Sequence, residues 1–153
     1  MKQRSFLSAA FIVLSFNAIY AQDTLAIKQT LLNWNKAVTT KNVEMAASVF
    51  DNEAKVIFAG SEENEIFKGV SAIRHSIEEF FSKPVTLSWN FTHLAIDQNK
   101  ETAWVFVDGT ITLKRNNGST VTTPYRITVV MVKKGKAWKW RLFNGSAPEK
   151  KNE

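Results

Sequence analysis

The stretch Ser119–Pro148, with the sequence STVTTPYRITVVMVKKGKAWKWRLFNGSAP, decides the fold because apolar and polar residues alternate along most of it. A period of two is typical of β-strands, in which successive side chains point to opposite faces of the sheet. The segment Lys134-Gly135-Lys136 interrupts the alternation and suits a short hairpin loop that contains glycine. The sequence therefore predicts two long antiparallel strands joined by this loop.

A three-residue loop would pair Lys133 with Ala137 and would place Arg126 opposite Asn144. In that register, one face of the sheet carries polar residues at one end and tryptophans at the other. The residues of this predicted face are Arg126, Thr128, Asn144, Ser146, Trp138 and Trp140, with Val130 and Val132 beside the tryptophans. A polar cluster at the end of an apolar floor is typical of a small-ligand pocket, although a core face with a polar rim gives the same pattern.

The rest of the chain predicts helices followed by strands. Helices are expected over Asp23–Thr40, from the N-cap Asn42 to Phe50 and over Val70–Phe81, with short strands at Ala54–Ala59 and Ile66–Lys68. Beyond Pro84 the long strands are Val85–Ile96, Glu101–Arg115, Ser119–Lys133 and Trp138–Ala147. This order favours an α+β domain in which the N-terminal helices pack on one face of a strongly curved antiparallel sheet.

The dipeptide Asn117-Gly118 is a strong two-residue hairpin signal, and it would place Arg126 opposite Gly109. Both faces of the resulting sheet are apolar, and the face away from Arg126 carries Trp104, Phe106, Ile127, Val129, Met131 and Phe143. Because the helices can cover only one face, the sequence predicts a homodimer that forms through the other. One β-bulge would exchange the faces beyond it.

The first residues, Met1–Ala21, have the features of a secretory signal peptide: a charged start, an apolar stretch over Phe6–Ile19 and a plausible cut before Gln22. We expect an exported protein, periplasmic or secreted, with a single domain over residues 22–150 and a disordered tail over residues 151–153. No cysteine is present, which excludes disulfides and a lipid-modified cysteine.

Composition limits the expected partners. The formal net charge is +6, and basic residues gather in the last hairpin and the tail, but no nucleic-acid motif accompanies them. The chain has two histidines and no cysteine cluster, and it has no phosphate-binding or dinucleotide fingerprint. We therefore expect no cofactor, no metal, no nucleic-acid partner and no membrane association after removal of the signal peptide.

The order of the elements, together with a C-terminal signature, resembles the SnoaL-like branch of the nuclear transport factor 2-like superfamily over about Leu25–Pro148. The residues that carry the resemblance are Ile27, Trp34, Lys41-Asn42-Val43, Gly69, Ala72-Ile73-Arg74, Ala103-Trp104-Val105, Tyr125-Arg126-Ile127-Thr128, Trp138, Trp140, Asn144, Ser146 and Pro148. The resemblance implies a cystatin-like cone, in which a curved sheet wraps around helices and encloses a cavity. The sequence is similar also to the association domain of calcium/calmodulin-dependent kinase II.

The resemblance also implies functions, because relatives include polyketide cyclases, ketosteroid isomerases and dehydratases. In the kinase association domain, cavity arginines can hold a carboxylate, and Arg126 looks like one of them by position. The second arginine of that domain falls near Gly145 here. Many relatives carry a histidine where this chain has Asn144, and asparagine cannot act as a general base at ordinary pH.

Two functions remain open at this point. The first is binding of a small, partly apolar ligand, with or without an anionic group, in an internal pocket without assigned catalysis. Its predicted binding residues are the apolar walls Trp34, Trp138 and Trp140, the anion-pairing Arg126, and the polar Thr128, Asn144 and Ser146. The second is an isomerase, dehydratase or cyclase that works by carboxylate acid–base catalysis, with Asp51 as the candidate base. That hypothesis requires Asp51 to be buried and to point into the cavity.

Overall fold

The computed structural model describes the backbone of residues 6–149 and the side chains of residues 22–149. The helices are α1 (Phe6–Thr39), α2 (Val43–Ser48) and α3 (Val70–Ser82). The strands are β1 (Ile57–Ala59), β2 (Ile66–Lys68), β3 (Val85–Asn99), β4 (Thr102–Arg115), β5 (Thr120–Lys134) and β6 (Ala137–Ser146). The helices pack against a strongly curved sheet, so the predicted α+β fold is confirmed.

Helix α1 begins upstream of the predicted start at Asp23, so its backbone includes part of the predicted signal peptide. The first five residues of that segment and the predicted tail, residues 151–153, lie outside the described residues. In the part of the chain that the structure describes, no helix is long and apolar enough to cross a membrane.

All six strands form one sheet in the order β2-β1-β6-β5-β4-β3. The four long strands are antiparallel neighbours, as predicted, but β1 runs parallel to β6, which makes the sheet mixed. A hairpin forces its two strands to be antiparallel, whereas β1 and β6 are separated by most of the domain and carry no such constraint. Bulges interrupt the ladder in β3 between Asn90 and His93, and between β5 and β6. Such bulges increase local twist and bending.

The β4–β5 register differs from the prediction by one residue. The connection is a three-residue loop with Gly118 at φ 83°, and it pairs Lys114 with Thr120 and Asp108 with Arg126. A shift of one residue turns every side chain of a strand to the other face. The prediction that Arg126 shares a face with Val105 is therefore wrong.

The β5–β6 connection also differs from the prediction, because Lys134 pairs with Ala137 around a two-residue turn. A bulge then leaves Arg141 without a paired residue, since Val130 is opposite Leu142 and Met131 is opposite Trp140. The bulge splits the predicted face into two groups. The tryptophans turn inward, and the polar residues of the same predicted face turn outward.

The core lies between the helices and the inner face of the sheet. The buried sheet residues are Ala103, Val105, Val107, Tyr125, Ile127, Val129, Met131, Trp138, Trp140 and Phe143. Each fully buried Val, Ile, Met or Phe side chain contributes about 1.5–3 kcal/mol relative to its exposed state. Four residues that were predicted to form the dimer face, Ile127, Val129, Met131 and Phe143, therefore belong to the core instead.

Candidate functional site

A cavity of about 510 Å³ lies between α3, the β1–β2 connection and the tip of the β4–β5 hairpin. Its volume falls within the range typical of small-molecule sites. Its walls are mainly apolar and come from Trp34, Val38, Phe58, Phe67, Ile77, Phe80, Phe81, Leu87, Trp89, Ile111, Leu113, Val121, Tyr125 and Phe143. Charged and small residues surround its mouth: Gly60, Ser61, Glu62, Glu65, Ser76, Glu79, Lys83, Arg115, Thr123 and Ala147.

The floor of the cavity is an aromatic cluster centred on Trp34 of α1. The ring centroid of Trp34 lies 5.8 Å from that of Trp89 and 6.2 Å from that of Phe143. Phe143 stacks in turn on Phe58, with ring centroids 4.7 Å apart and an angle of 4° between the planes. The backbone N–H of Trp89 donates to Oδ1 of Asn35 at 2.9 Å, which joins β3 to α1. These contacts fix the positions of the rings.

Three buried indole N–H groups have no hydrogen-bond acceptor among residues 22–149: those of Trp34, Trp89 and Trp140. A buried donor without an acceptor costs about 1–3 kcal/mol relative to its hydrated state. Trp34 and Trp89 line the cavity, whereas Trp140 lies beside Trp34 in the core and does not. The indole of Trp138, by contrast, donates to Oδ1 of Asp23 at 3.2 Å.

Tyr125 places a hydroxyl group in the wall of the cavity, where β6 makes room for it. A Cβ atom at Gly145 would lie 2.1 Å from the Tyr125 oxygen, so only glycine fits opposite this phenol. Burial raises the pKa of Tyr125 above its usual value, and the carboxylates of Glu65 and Glu62 raise it further, while a hydrogen bond with Ser61 acts in the opposite direction. The phenol is therefore protonated at neutral pH and can act as a donor.

The mouth of the cavity carries charges of both signs. The loop between β1 and β2 is closed by the backbone N–H of Gly60, which donates to the carbonyl of Glu65 at 2.8 Å. The backbone N–H of Glu62 donates to Oε2 of Glu65 at 3.2 Å, which keeps that carboxylate at the loop. On the other sides of the mouth, α3 contributes Glu79, with Lys83 just beyond its end, and β4 contributes Arg115. The charged groups thus lie around the mouth while the walls are aromatic.

A family model of the SnoaL-like domain matches residues 27–149. The chain belongs to the SnoaL-like family. This confirms the resemblance seen in the sequence. No curated protein sequence matches the chain.

Solved structures share the fold at low sequence identity. A candidate dehydratase of the nuclear transport factor 2-like family from Streptomyces avermitilis aligns with a TM-score of 0.74 and 13% identity, covering 84% of this chain and 98% of that one. A candidate scytalone dehydratase from Novosphingobium aromaticivorans aligns with a TM-score of 0.73 and 14% identity, covering 83% and 85%. A candidate calcium/calmodulin-dependent protein kinase II association domain from Xanthomonas campestris aligns with a TM-score of 0.67 and 22% identity, covering 84% and 87%. These similarities show the fold alone.

The residues that the sequence predicts to bind a ligand in this SnoaL-like domain lie in three different places in the structure: the cavity, the core and the outer face of the sheet. Trp34 lines the cavity, while Trp138 and Trp140 are buried in the core and do not reach it. Four polar residues lie instead on the outer face of the sheet, away from the cavity: Arg126, Thr128, Asn144 and Ser146. The cause is the β4–β5 register, which turns Arg126 toward Asp108, with Nε and Oδ1 3.3 Å apart. The predicted cavity position of these four residues is therefore wrong.

Asp51, the candidate base, is only 1% exposed, but it does not line the cavity of the SnoaL-like domain. Its Oδ2 accepts from Nε of Arg141 at 2.9 Å and also from Nη2, and Lys134 Nζ lies 3.9 Å from its Oδ1. The bulge at Arg141 brings this guanidinium to the carboxylate. The catalytic hypothesis required a buried Asp51 that points into the cavity, and the structure meets only the first condition.

Sequence reasoning missed several residues that line the cavity. Tyr125 and Trp89 were not predicted as site residues, and neither were Glu62 and Glu65 of the acidic loop between β1 and β2. A signal for Tyr125 was present in the alternation of Tyr125, Ile127, Val129 and Met131, which is more apolar than the alternation that begins with Arg126 and Thr128. Choosing between the two sets required the exact loop lengths.

Proposed function

We propose that this SnoaL-like domain binds a small, mainly apolar ring compound in the cavity between α3 and the β4–β5 hairpin. The observation that carries the proposal is the aromatic floor formed by Trp34, Trp89 and Phe143, together with a protonated hydroxyl at Tyr125. Flat aromatic walls with a few polar groups suit ring-containing ligands, since ring–ring contacts add to the free energy gained by burial. The sequence predicts that an anionic group of the ligand pairs with Arg126. A ligand in this cavity cannot form that pair, because Arg126 lies on the outer face of the sheet.

A cavity-filling variant tests the proposal. Ile111→Trp would place a large ring inside the cavity, whereas Thr110→Trp adds the same ring at the next residue, whose side chain points to the other face of β4. A panel of one- to three-ring compounds is screened by thermal shift, and the hits are titrated by calorimetry. We expect hits on the wild type and on Thr110→Trp, with binding lost in Ile111→Trp. Equal binding by both variants would place the ligand elsewhere.

The enzymatic alternative is favoured by one observation, the position of protonated Tyr125 near Glu65 at the mouth. In a dehydratase or isomerase, Tyr125 would donate a hydrogen bond to a developing oxyanion and Glu65 would accept a proton. Two of the similar structures are candidate dehydratases. Turnover of a screened ligand that Tyr125→Phe and Glu65→Gln both abolish, while binding persists, would favour this alternative.

We also propose that the protein is exported, with cleavage near Gln22. The support is the packing of Asp23, which is 9% exposed and lies 2.7 Å from Lys133 Nζ. Asp23 lies directly after the predicted cut, so removal of Met1–Ala21 would leave this contact intact. Mass spectrometry of the protein from its native host should show an N-terminus near Gln22. An intact Met1 on a cytosolic protein would refute export.

We propose a homodimer through the outer face of the sheet. Its apolar contact patch is smaller than the sequence predicts, because four of the predicted interface residues lie in the core. Trp104 and Phe106 are 45% and 43% exposed there, on the same face as Asp108 and Arg126. A two-fold axis brings a patch against its own copy, so the two opposite charges can pair across it. Sedimentation at micromolar concentration should give a dimer mass for the wild type and a monomer mass for Phe106→Glu. A monomeric wild type would exclude this assembly.

A further inference from the structure

The dipeptide Asn-Gly occurs twice in the chain, and the structure places its two copies in different surroundings. Asn117-Gly118 lies in the exposed loop between β4 and β5, whereas Asn144-Gly145 lies in β6. Asparagine is thermally labile. It loses ammonia most readily before glycine, because the backbone nitrogen of a residue without a Cβ atom can reach the side-chain amide carbon. The sequence alone therefore marks both copies as sites of deamidation.

The sheet protects the copy in β6. Asn144 pairs with Thr128 of β5 on one side and with Ala59 of β1 on the other, and Gly145 is buried opposite Ile127. The extended backbone of a strand that has neighbours on both sides cannot fold back to bring the glycine nitrogen to the asparagine side chain. Reaction at this copy requires the sheet to open.

The loop between β4 and β5 instead exposes Asn117 and gives its amide oxygen two donors. Oδ1 of Asn117 accepts from the backbone N–H of Ser119 at 3.0 Å and from Ser119 Oγ at 2.7 Å. Such donors stabilise the negative charge that develops on this oxygen when a nucleophile attacks the amide carbon. A Cβ atom at Gly118 would meet no described atom within 4 Å, so the loop is not crowded at this point.

One hydrogen bond must break before the reaction. The backbone N–H of Gly118, whose nitrogen is the nucleophile, donates to the carbonyl of Arg115 at 2.9 Å. This bond lies at the exposed end of the hairpin, where local opening costs little free energy. The two bonds between Ser119 and Asn117 span only two residues, so they can persist while the loop opens.

We infer that Asn117 is a site of spontaneous deamidation in the folded protein and that the hydroxyl of Ser119 assists the reaction. The nitrogen of Gly118 bonds to Cγ of Asn117, and Nδ2 leaves as ammonia with the proton of that nitrogen. One water molecule then opens the succinimide ring at either carbonyl and gives aspartate or isoaspartate. The product carries a new negative charge two residues from Arg115, which lies at the mouth of the cavity. The inference does not depend on the proposed ligand.

Ageing of the full chain at mildly alkaline pH tests the inference, with Asn144 as the control within the same molecule. Peptide mapping by mass spectrometry measures the gain of about 1 Da that accompanies deamidation at each asparagine. In the folded protein we expect Asn117 to convert while Asn144 stays unchanged. In urea that unfolds the chain, both should convert at similar rates, because the sheet no longer protects Asn144.

Two outcomes of this experiment would overturn the inference. If Asn117 in the folded protein converts no faster than Asn144, the loop does not make it a deamidation site. If Asn144 stays unreactive in urea while Asn117 converts, the fold is not the cause of the difference.

A pair of variants tests the role of the hydroxyl group. Ser119→Ala removes the hydroxyl donor and keeps the backbone N–H, whereas Ser119→Thr keeps both. In the folded protein we expect Ser119→Ala to slow conversion of Asn117 about threefold to tenfold, as the loss of one hydrogen bond to the reacting oxygen predicts, and Ser119→Thr to leave it within about twofold. The rate at Asn144 in urea should be the same in all three proteins. An equal or faster rate at Asn117 in Ser119→Ala would show that the hydroxyl does not assist.

Discussion

The two ends of the sheet differ in how their buried polar groups are partnered. At the end formed by the β5–β6 hairpin, the buried carboxylates of Asp23 and Asp51 are paired with Lys133 and Arg141. At the other end, two tryptophans that line the cavity, Trp34 and Trp89, have indole N–H groups without an acceptor among residues 22–149. Both ends are therefore partly polar inside. The hairpin end supplies cations for its buried carboxylates, although Oδ1 of Asp51 and the indole N–H of Trp140 have no hydrogen-bond partner among residues 22–149.

From this difference we infer that the hairpin end stabilises the fold and that the cavity end is the place of the proposed ligand site. A buried charge is tolerated when it is ion-paired, and such pairs hold elements in one arrangement. At the hairpin end they join Asp23 of α1 to β5 and the segment after α2 to β6. The cavity end instead combines aromatic walls with the hydroxyl group of Tyr125, an arrangement that suits a small ligand.

The largest expected effect comes from breaking the hairpin end. Arg141→Met would leave the carboxylate of Asp51 buried without its guanidinium, which we expect to lower the free energy of unfolding by roughly 3 kcal/mol. Urea unfolding measures this. The double variant Asp51→Leu/Arg141→Met removes both charges and should recover much of the loss. Binding of a ring compound found in the thermal-shift screen should be unchanged in both variants, and a parallel loss of affinity would show that the two ends are coupled.

The hairpin-end pairs could not be predicted from the sequence. Asp51 and Arg141 are 90 residues apart in the chain, and the pair forms because a bulge turns Arg141 out of the strand alternation. The strands and helices themselves were predictable, since periodicity of apolar residues is a local property. Which face a strand presents depends on loop length, and one additional residue at Asn117-Gly118 turned Arg126 outward.

The residues of the cavity were only partly predictable for the same reason. Trp34 was found because it lies in a helix whose buried side is clear from its apolar spacing. Tyr125 and Arg126 are adjacent in β5, so their side chains point to opposite faces of the sheet. The residues that follow each of them on its own face are mostly apolar. The exposed side of the sheet therefore looked like the inner side until the registers were known.

The second prediction concerns the cavity end. Gly145→Ala would place a methyl group 2.1 Å from the hydroxyl oxygen of Tyr125, so the ring must move. We expect a loss of about 1–3 kcal/mol in stability, as for other overpacked sites, and weaker binding of a ring compound found in the screen. Denaturant unfolding and calorimetry measure the two effects. In a Tyr125→Leu background the same change should cost much less, whereas a full additive cost would mean that Gly145 does not act through Tyr125.

The third prediction is a dependence on alkaline pH. Burial raises the pKa of Tyr125 in the folded state above its usual value of 10.0. The folded protein then holds this proton more tightly than the unfolded chain, so the contribution to stability is fully present below about pH 10 and is lost as pH rises through the folded pKa. Urea midpoints measured from pH 8 to 11 should fall less steeply for Tyr125→Phe than for the wild type. Identical slopes would show that this phenol is not buried.

The smallest expected effect is that of Arg126→Ala, which compares the outer face with the cavity. The pair that Arg126 forms with Asp108 has both side chains about half exposed, and such surface pairs contribute about 0–1 kcal/mol. We therefore expect a change of at most about 0.5 kcal/mol in stability and no change in the affinity of any cavity ligand, including an aromatic acid such as 2-naphthoate. Calorimetric titration of the wild type and the variant with the same ligands measures this. If Arg126→Ala abolishes binding of the acid, Arg126 faces the cavity after all, and the two-residue loop at Asn117-Gly118 describes the protein better than the three-residue loop.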